Sequence, residues 1–382
     1  MTDTAAALRR VLADELAEEG ELRSPPWRSA VEAVPRERFL GEAVFRLDGG
    51  TDPWTRVRRD DVTEAEWLRM AYEDRTWVTQ IDGVDAEEAP RATRGLPTSS
   101  STLPSLVVGM LEDLDVRDGH RVLEIGTGTG YSTALLCHRL GDTHVASVEV
   151  DPGSADRAGK ALGSVGFEPD LFVHDGFNGD ARGGSYDRII ATCSFRYVPQ
   201  PWLYQVDTGS KILVTLAGWM RSQAQALLTV EEEGTAQGHF LPVDRSFMTA
   251  RSHQPPPTGP IVFPGAGDDR PASFGPESFS SWTSTFIAQT AAPAAQIHRL
   301  QDQILFWDVS TGSQAWLRAG DDGGPVVRQH GPNPLWNAVE EALTVWGEAG
   351  SPPINEFGLT ANPGGQRVWL GSPDGPSWRL PV

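Results

Sequence analysis

Glycines and carboxylates carry the first chemical signal in this chain. Gly126-Thr-Gly-Thr-Gly130 closes the apolar run Arg121-Val-Leu-Glu-Ile125 and opens the helical stretch Tyr131-Ser-Thr-Ala-Leu-Leu136. Strand, glycine turn and helix in that order offer backbone N–H groups and a helix N-terminus to a nucleotide-like ligand. Glu149 stands 23 residues after Gly126, at the end of a second apolar run, where its carboxylate can accept both hydroxyls of a ribose. Asp175-Gly176 follows a third run, where a carboxylate can meet an adenine amino group. A dinucleotide fingerprint needs Gly-x-Gly-x-x-Gly, and Tyr131 occupies the place of its third glycine. The three strand ends therefore describe an adenosine ligand without a pyrophosphate, which fits S-adenosylmethionine better than NAD. The cofactor-binding set is Glu124, Gly126, Thr127, Gly128, Gly130, Tyr131, Glu149, Val150, Asp175 and Gly176. Plainer readings stand beside it. Glu149 could be a solvated strand end, Asp175 a turn former before Gly176, and Tyr131 and Cys137 packing residues.

These residues need an α/β scaffold. Strands are expected at 121–125, 144–150, 170–174, 186–192 and 211–217, with helices at 131–140, 154–164 and 199–206 between them. Alternation of that kind implies a parallel sheet covered on both faces. Two further strands, 224–232 and 236–243, should pair antiparallel at its edge. Ahead of the core, a helix at 3–19 carries the stripe Leu8, Val11, Leu12 and Leu16, and a second helix covers 30–40. Residues 41–96 are polar and irregular, with Tyr72-Glu-Asp74 and Trp77 standing out. Pro97-Thr-Ser-Ser-Ser-Thr-Leu-Pro104 then leads into a helix with the apolar face Leu103, Leu106, Val107, Met110 and Leu114, a hydroxyl before the proline serving as its cap.

The texture changes after residue 246. His253-Gln-Pro-Pro-Pro-Thr-Gly-Pro260 reads as a stiff linker. Beyond it, 304–309 with 315–318 and 357–360 with 366–370 read as hairpins, and 333–346 as a helix burying Trp336, Val339, Leu343 and Trp346. The domains are expected at 1–96 (N-terminal segment), 97–246 (core), 247–272 (linker) and 273–382 (a smaller α+β domain).

Composition narrows the function. Lys and Arg total 32 against 52 Asp and Glu, a net charge of -20 that repels phosphate backbones and anionic lipid. No apolar signal core opens the chain, and the longest apolar run, Ile212 to Met220, is about half of what a bilayer span needs. With only Cys137 and Cys193 there is no disulfide framework, so a reducing cytoplasm is the expected compartment. The 8 histidines show no metal-ligand spacing, and no metal is expected.

Roughly residues 1–245 resemble the protein-L-isoaspartate O-methyltransferase family. The resemblance rests on Val34-Pro-Arg-Glu-Arg-Phe39, Tyr72-Glu-Asp74 and the hydroxyl-rich turn before Pro104. It rests equally on Leu123-Glu-Ile-Gly-Thr-Gly-Thr-Gly130, Asp187 and Val198-Pro-Gln200. It implies a Rossmann-like S-adenosylmethionine methyltransferase sheet and methyl transfer to a peptide carboxylate. The family carries Thr-Ile-Ser before its helix, with the serine near the reacting carboxylate. Here that position falls on Thr102, with Ser101 adjacent, and these two are the implied catalytic hydroxyls. The small stretch after the family's fourth strand is here Thr192-Cys-Ser-Phe-Arg-Tyr197, bulkier and carrying Arg196. Asp74, Trp77, Ser100 and Arg196 are the implied substrate-binding residues; helix capping, an ordinary loop and a surface charge are the alternatives for the hydroxyls, for Asp74 with Trp77, and for Arg196.

An aspartate with a pKa of about 3.9 is already ionised at neutral pH, so the transfer requires alignment and a dry pocket, not a general base. Housekeeping repair enzymes of the family end near residue 245, whereas this chain adds a tryptophan-rich region. That length, with Thr76-Trp-Val-Thr-Gln80 and Ser99-Ser-Ser-Thr-Leu-Pro104, looks like the members that modify ribosomally made peptides. The favoured expectation is thus methyl esterification of a specific aspartate in a macrocyclised peptide of the graspetide type, leading to aspartimide or isoaspartate. The partner would be an acidic peptide already closed by an ATP-grasp ligase, with the C-terminal region gripping it. A monomer without nucleic-acid or membrane partners is favoured. General isoaspartate repair is the alternative enzyme, and a cofactor- and peptide-binding escort without turnover is the non-catalytic one.

Overall fold

The computed structural model describes residues 2–47, 53–261, 265 and 267–382. Residues 48–52 of the stretch read as irregular, and 262–264 and 266 of the linker, lie outside the described residues. The chain divides into two compact units, the first formed by 1–193 with 204–213 and the second by 194–203 with 214–382.

The first unit begins with α1 (Thr2–Glu18) packed on α2 (Pro25–Ala33). The buried stripe of α1 is Ala5, Leu12, Ala13 and Leu16, while Val11 of the expected stripe is 51% exposed. The second helix lies earlier than 30–40. It stops before Pro35, and a single 3-10 turn, Arg36–Arg38, follows. The residue before a proline is forced out of the helical region, so the expected helix could not run through it.

The described residues of 41–96 carry regular secondary structure, against expectation. They form β1 (Ala43–Arg46), β2 (Trp54–Arg58), α3 (Glu64–Ala71), β3 (Trp77–Ile81), β4 (Val84–Asp85) and β5 (Ala92–Thr93). β6 (Pro97–Ser101) pairs with β3, so the hydroxyl run is a strand and not a capping turn. The sheet order is β4-β3-β1-β2-β5 with β6 also on β3, over a small core of Ala43, Phe45, Val78, Ile81, Ala86 and Ala89. These strands have 2 to 5 residues and, the β3–β4 hairpin apart, partners separated by intervening chain, so no alternating pattern announces them. One local signal does exist. Asp82-Gly83, both at positive φ, makes the two-residue turn between β3 and β4.

Next come α4 (Pro104–Asp113), β7 (Val122–Ile125), α5 (Tyr131–Leu140), β8 (Val145–Glu149), α6 (Pro152–Ser164), β9 (Asp170–Val173) and β10 (Tyr186–Phe195). β11 (Val206–Ala217) follows a 3-10 turn, Gln200–Tyr204, that replaces the helix expected at 199–206 because Pro199 and Pro201 cannot donate N–H bonds. β10, β7, β8 and β9 are parallel neighbours in that order. The chain therefore runs from β7 outward through β8 to β9, then returns to the other side of β7. Ligands of open α/β sheets bind at such a reversal, beyond the carboxyl ends of the strands.

In the second unit, β12 (Gln223–Glu232) and β13 (Thr235–Phe240) form a hairpin. Then come β14 (Asp269–Pro271), α7 (Trp282–Ala291), β15 (Gln296–Leu300), β16 (Gln303–Asp308), β17 (Ser313–Ala319) and β18 (Pro325–His330). The unit ends with α8 (Leu335–Glu348), β19 (Phe357–Asn362), β20 (Gly365–Leu370) and β21 (Ser377–Arg379). β14-β18-β17-β16-β15 make one antiparallel sheet, and α7 packs on α8. Both expected hairpins and the expected helix are present, with Trp336, Val339 and Leu343 buried and Trp346 partly so. The division expected near 246 is not where the chain separates. β13 pairs with β19, from Ala236 opposite Ala361 to His239 opposite Gly358, which ties 223–240 to the C-terminal hairpin.

Candidate active site

The site lies in the first unit, where the ends of β7, β8 and β9 meet the turn after β6. Gly126, Gly128 and Gly130 all have positive φ, at 104°, 56° and 90°. A side chain at Gly126 would stand 2.7 Å from Thr192 Oγ1, and one at Gly130 would stand 3.3 Å from Ala158 on α6. Gly130 thus gives the close helix packing that a dinucleotide fingerprint draws from its third glycine. Gly128 lies beneath the Ser100 carbonyl, 3.6 Å from where its Cβ would be. This brings Ser100 and the glycine turn together by backbone, while the Ser100 partner in β3 is Val78.

The carboxylates divide into two kinds. Glu124 is fully buried and accepts from Ser132 Oγ, Thr133 Oγ1 and, at 2.8 Å, Ser147 Oγ. Burial pushes its pKa above the usual carboxylate range. It thereby holds the first turn of α5 and Ser147 of β8 together, and in this arrangement it positions the glycine turn from within the core. Thr127 is likewise buried, with Oγ1 2.7 Å from Ser147 Oγ. Glu149 sits at the surface limit, 9% exposed. Its Oε2 accepts the Gly128 N–H at 2.8 Å and its Oε1 the Asp151 N–H at 3.0 Å. Each of these oxygens keeps a lone pair, because a carboxylate oxygen accepts two bonds. Val150, next to it, is 38% exposed.

Asp175 caps the 3-10 turn Gly176–Asn178 by accepting the Phe177 N–H at 2.9 Å, so its turn-forming role is real. Gly176 is buried under the end of β7, where a Cβ would meet Ile125 Cγ2 at 2.4 Å. The neighbouring His174 keeps a buried Nε2 without a partner. Tyr131 is a packing residue. It is 3% exposed, its ring lies 6.0 Å from Phe39, and the Arg36 guanidinium lies 5.8 Å from its centroid.

The hydroxyl turn is organised by a residue that spacing could not reveal. Arg36 is fully buried and donates to the carbonyls of Ala71 (2.8 Å), Glu73 (3.0 Å), Arg75 (2.8 Å), Ser101 (3.4 Å) and Thr102 (3.1 Å). Burial brings its pKa down to about 10, so it stays charged at neutral pH. The loop 71–75 and the turn 101–102 are thereby bound to one cation. Thr76 Oγ1 accepts the Leu103 N–H at 3.1 Å, and Asp74 Oδ1 accepts the Ser105 N–H at 2.8 Å. Asp74 is therefore the cap of α4, a role expected of a hydroxyl before Pro104, and not a groove residue. Trp77 is not a groove residue either. It is 1% exposed and its Nε1 donates to the Met70 carbonyl.

Ser101 and Thr102 remain as the side chains of the turn. Ser101 is 1% exposed, and its Oγ is buried without a hydrogen-bond partner. Thr102 is partly exposed. Thr192 and Cys193, in β10 just past its pairing with β7, close the other side of the glycine turn. Thr192 Oγ1 donates to the Ile125 carbonyl at 3.0 Å, and burial raises the Cys193 thiol far above its ordinary pKa, keeping it protonated. Arg196, expected beside them, belongs to the second unit. There its Nη2 donates to the Pro293 carbonyl at 2.6 Å and its guanidinium lies 3.6 Å from the Trp219 ring centroid. It is committed to packing and is not a peptide-steering charge. Among the described residues, no helix is long and apolar enough to cross a membrane.

Residues 52–240 match the protein-L-isoaspartate(D-aspartate) O-methyltransferase family. A protein-L-isoaspartate O-methyltransferase of Bradyrhizobium sp. (strain ORS 278) is 41% identical over 220 residues, which span 57% of this chain and 94% of that protein. Another, from Methanothermobacter thermautotrophicus, is 30% identical over 208 residues, spanning 54% of this chain and 78% of its own. A solved protein-L-isoaspartate O-methyltransferase has the same fold, with a TM-score of 0.54 at 21% identity, over 95% of this chain and 100% of its own. The chain belongs to the protein-L-isoaspartate O-methyltransferase family. The last likeness, one of fold alone, also takes in the second unit.

Proposed function

We propose that this chain transfers a methyl group from S-adenosylmethionine to the side-chain carboxylate of one chosen aspartate in a ribosomally made, macrocyclised peptide, leading to an aspartimide or isoaspartate. Membership of the family supports a carboxyl O-methyltransferase with this methyl donor. The residues present suit the donor. Three left-handed glycines clear its approach, Glu149 retains acceptor capacity for a diol, and Asp175 with the unpartnered His174 Nε2 lies at the next strand end. When bound, the sulfonium supplies an electrophilic methyl carbon.

The rest of the chemistry belongs to this chain. The acceptor carboxylate is ionised at neutral pH and needs no base. The observation that carries the reading is Ser101. A buried hydroxyl without a partner is costly, and it belongs to the residue next to Ser100, whose carbonyl lies over Gly128; an incoming carboxylate oxygen would accept its proton in a hydrogen bond. Holding one oxygen directs the other toward the methyl carbon, and Thr102 can assist from the adjacent position. The nearest buried cation, Arg36, faces backbone carbonyls, so it stabilises the turn without ion-pairing the nucleophile and blunting it. A neutral, dry pocket favours a reaction in which opposite charges cancel.

The choice of a pathway peptide rests on the hydroxyl turn, where Ser101 and Thr102 replace the family's Thr-Ile-Ser, and on the sequence likeness at 76–80 and 99–104. General isoaspartate repair is favoured by a different observation, the names of the relatives that match most of their own length. Mass spectrometry separates them. Gain of a methyl group followed by loss of methanol, on a cyclised precursor but not on a generic isoaspartyl peptide, supports tailoring. Methylation of any isoaspartyl peptide supports repair and overturns the tailoring assignment. Donor binding without turnover on either would identify an escort. An ATP-grasp ligase gene beside a short Asp-rich precursor gene would be the cheapest supporting observation.

A further inference from the structure

The second unit contains a cavity of about 520 Å³ whose lining is unusual for so acidic a chain. Arg221, His298 and Arg299 line it, and among the described residues no Asp or Glu does, in a protein of net charge -20. Apolar walls are given by Phe279, Ile261 and Trp282, the last two 37% and 42% exposed. A volume of this size accommodates a few side chains of a peptide.

The backbone supplies an independent observation. Arg221 has φ 66° in the turn closed by its N–H on the Gly218 carbonyl. Glycine adopts that conformation without penalty, and arginine does not. The strain is retained at a residue whose side chain faces the cavity. His298 points the same way. Its Nε2 is buried without a partner, and burial together with Arg221 holds the imidazole below its ordinary pKa. Arg299 is anchored by Nη2, which donates to the Phe279 carbonyl at 2.6 Å.

We propose that this cavity is a binding site for an acidic peptide segment, with Arg221 and Arg299 taking side-chain carboxylates and Trp282 and Ile261 taking a neighbouring apolar side chain. Planar guanidinium groups suit carboxylates, and an aromatic wall beside them suits a peptide better than a bare anion. The assignment of an acidic peptide as the occupant rests on the proposed acceptor.

The test uses the full chain without methyl donor. Binding of a short peptide alternating Asp and Leu is followed by tryptophan fluorescence and calorimetry, against its Asn-for-Asp counterpart and against inorganic phosphate. The Asp peptide should bind, and the Asn peptide should bind at least about tenfold more weakly. Arg221→Gly should lower affinity by at least about tenfold while leaving the melting temperature unchanged or higher, because glycine relieves the positive φ. Arg221→Lys should recover part of the affinity. Equal binding of the Asn peptide, displacement by equimolar phosphate, or undiminished binding by Arg221→Gly overturns the assignment. Binding is read without turnover. A chain that methylates no peptide but passes this test loses the acceptor reading and keeps the cavity, and the converse result does the reverse.

Discussion

Ser101→Ala is expected to strengthen the fold and weaken the catalyst, a pair of opposite signs that few substitutions share. The Ser101 side chain is 1% exposed and its Oγ has no hydrogen-bond partner. Burying an unpaired hydroxyl costs roughly 1–3 kcal/mol on protein scales. Alanine removes that cost and leaves a void the size of one oxygen, which returns part of it. A net gain of about 1 kcal/mol follows, or a melting temperature higher by about 2–4 °C for a unit of this size. The catalytic loss has another origin. A hydrogen bond to a charged group is worth roughly 1.5–3 kcal/mol, so kcat/KM should fall by about 10- to 150-fold. Denaturant unfolding measures the first effect, and initial rates with isotopically labelled methyl donor measure the second. If the variant loses more than about 1 kcal/mol, the hydroxyl is satisfied in the fold and the reasoning is wrong. If kcat/KM stays within about twofold, the hydroxyl does not meet the acceptor, and Thr102 takes its place as the bearer.

Three further perturbations probe the parts that support this hydroxyl. Arg36→Met leaves the carbonyls of Ala71, Glu73, Arg75 and Thr102 without their donor, at a combined cost of about 3–5 kcal/mol and a melting temperature lower by about 10 °C. A melt unmoved within about 2 °C would show that the clamp is not what orders the turn. Glu124→Gln should flatten the pH dependence of stability. The folded pKa of Glu124 is raised, so its contribution is fully present below the ordinary carboxylate value and is lost as pH rises through the folded one. Wild type should therefore lose stability relative to the variant between acid and neutral pH, and parallel unfolding curves at the two ends would contradict this. Gly126→Ala combines a φ of 104° with a Cβ 2.7 Å from Thr192 Oγ1. About 1–3 kcal/mol of strain should appear as at least a tenfold loss of affinity for S-adenosylhomocysteine by calorimetry, and unchanged affinity would mean that the turn has room to spare.

The parallel core is legible in the sequence because it is built locally. Each of its strands is a short apolar run, each helix follows within a few residues, and the expected helix at 131–140 is α5 itself. The glycine turn is legible for the same reason, since its three positive φ values are set within five residues. Roles set by distant partners are not. Ser99-Ser-Ser101 reads as a capping turn until β3 lies beside it and makes it a strand. Trp77 and Asp74 read alike as landmarks of a polar loop, yet strand pairing buries the first, and a bond from the Ser105 N–H makes the second the cap of α4. Arg196 lies only four residues beyond Thr192, but β10 carries it out of the first unit.

Arg36 shows why this limit is physical and not a matter of better patterns. Its five carbonyl partners come from the two segments 71–75 and 101–102, and no spacing in the chain encodes their meeting. Its hydrogen bonds all go to carbonyls, while the carboxylates of Asp74 and Glu73 act on it only through space. No carboxylate is hydrogen-bonded to Arg36 at the turn itself, where a second negative charge would oppose the approach of the acceptor. On the proposed reading, the charge arrangement of the turn, with one cation facing inward toward carbonyls and hydroxyls left for the acceptor, is part of the mechanism. Replacing Thr102 by Lys should expose this directly. It should tighten binding of the acceptor carboxylate while lowering kcat, because an ion pair formed in the ground state is lost as the charge is cancelled. A rise in both affinity and kcat would show that alignment by any donor suffices and that neutrality of the turn contributes nothing.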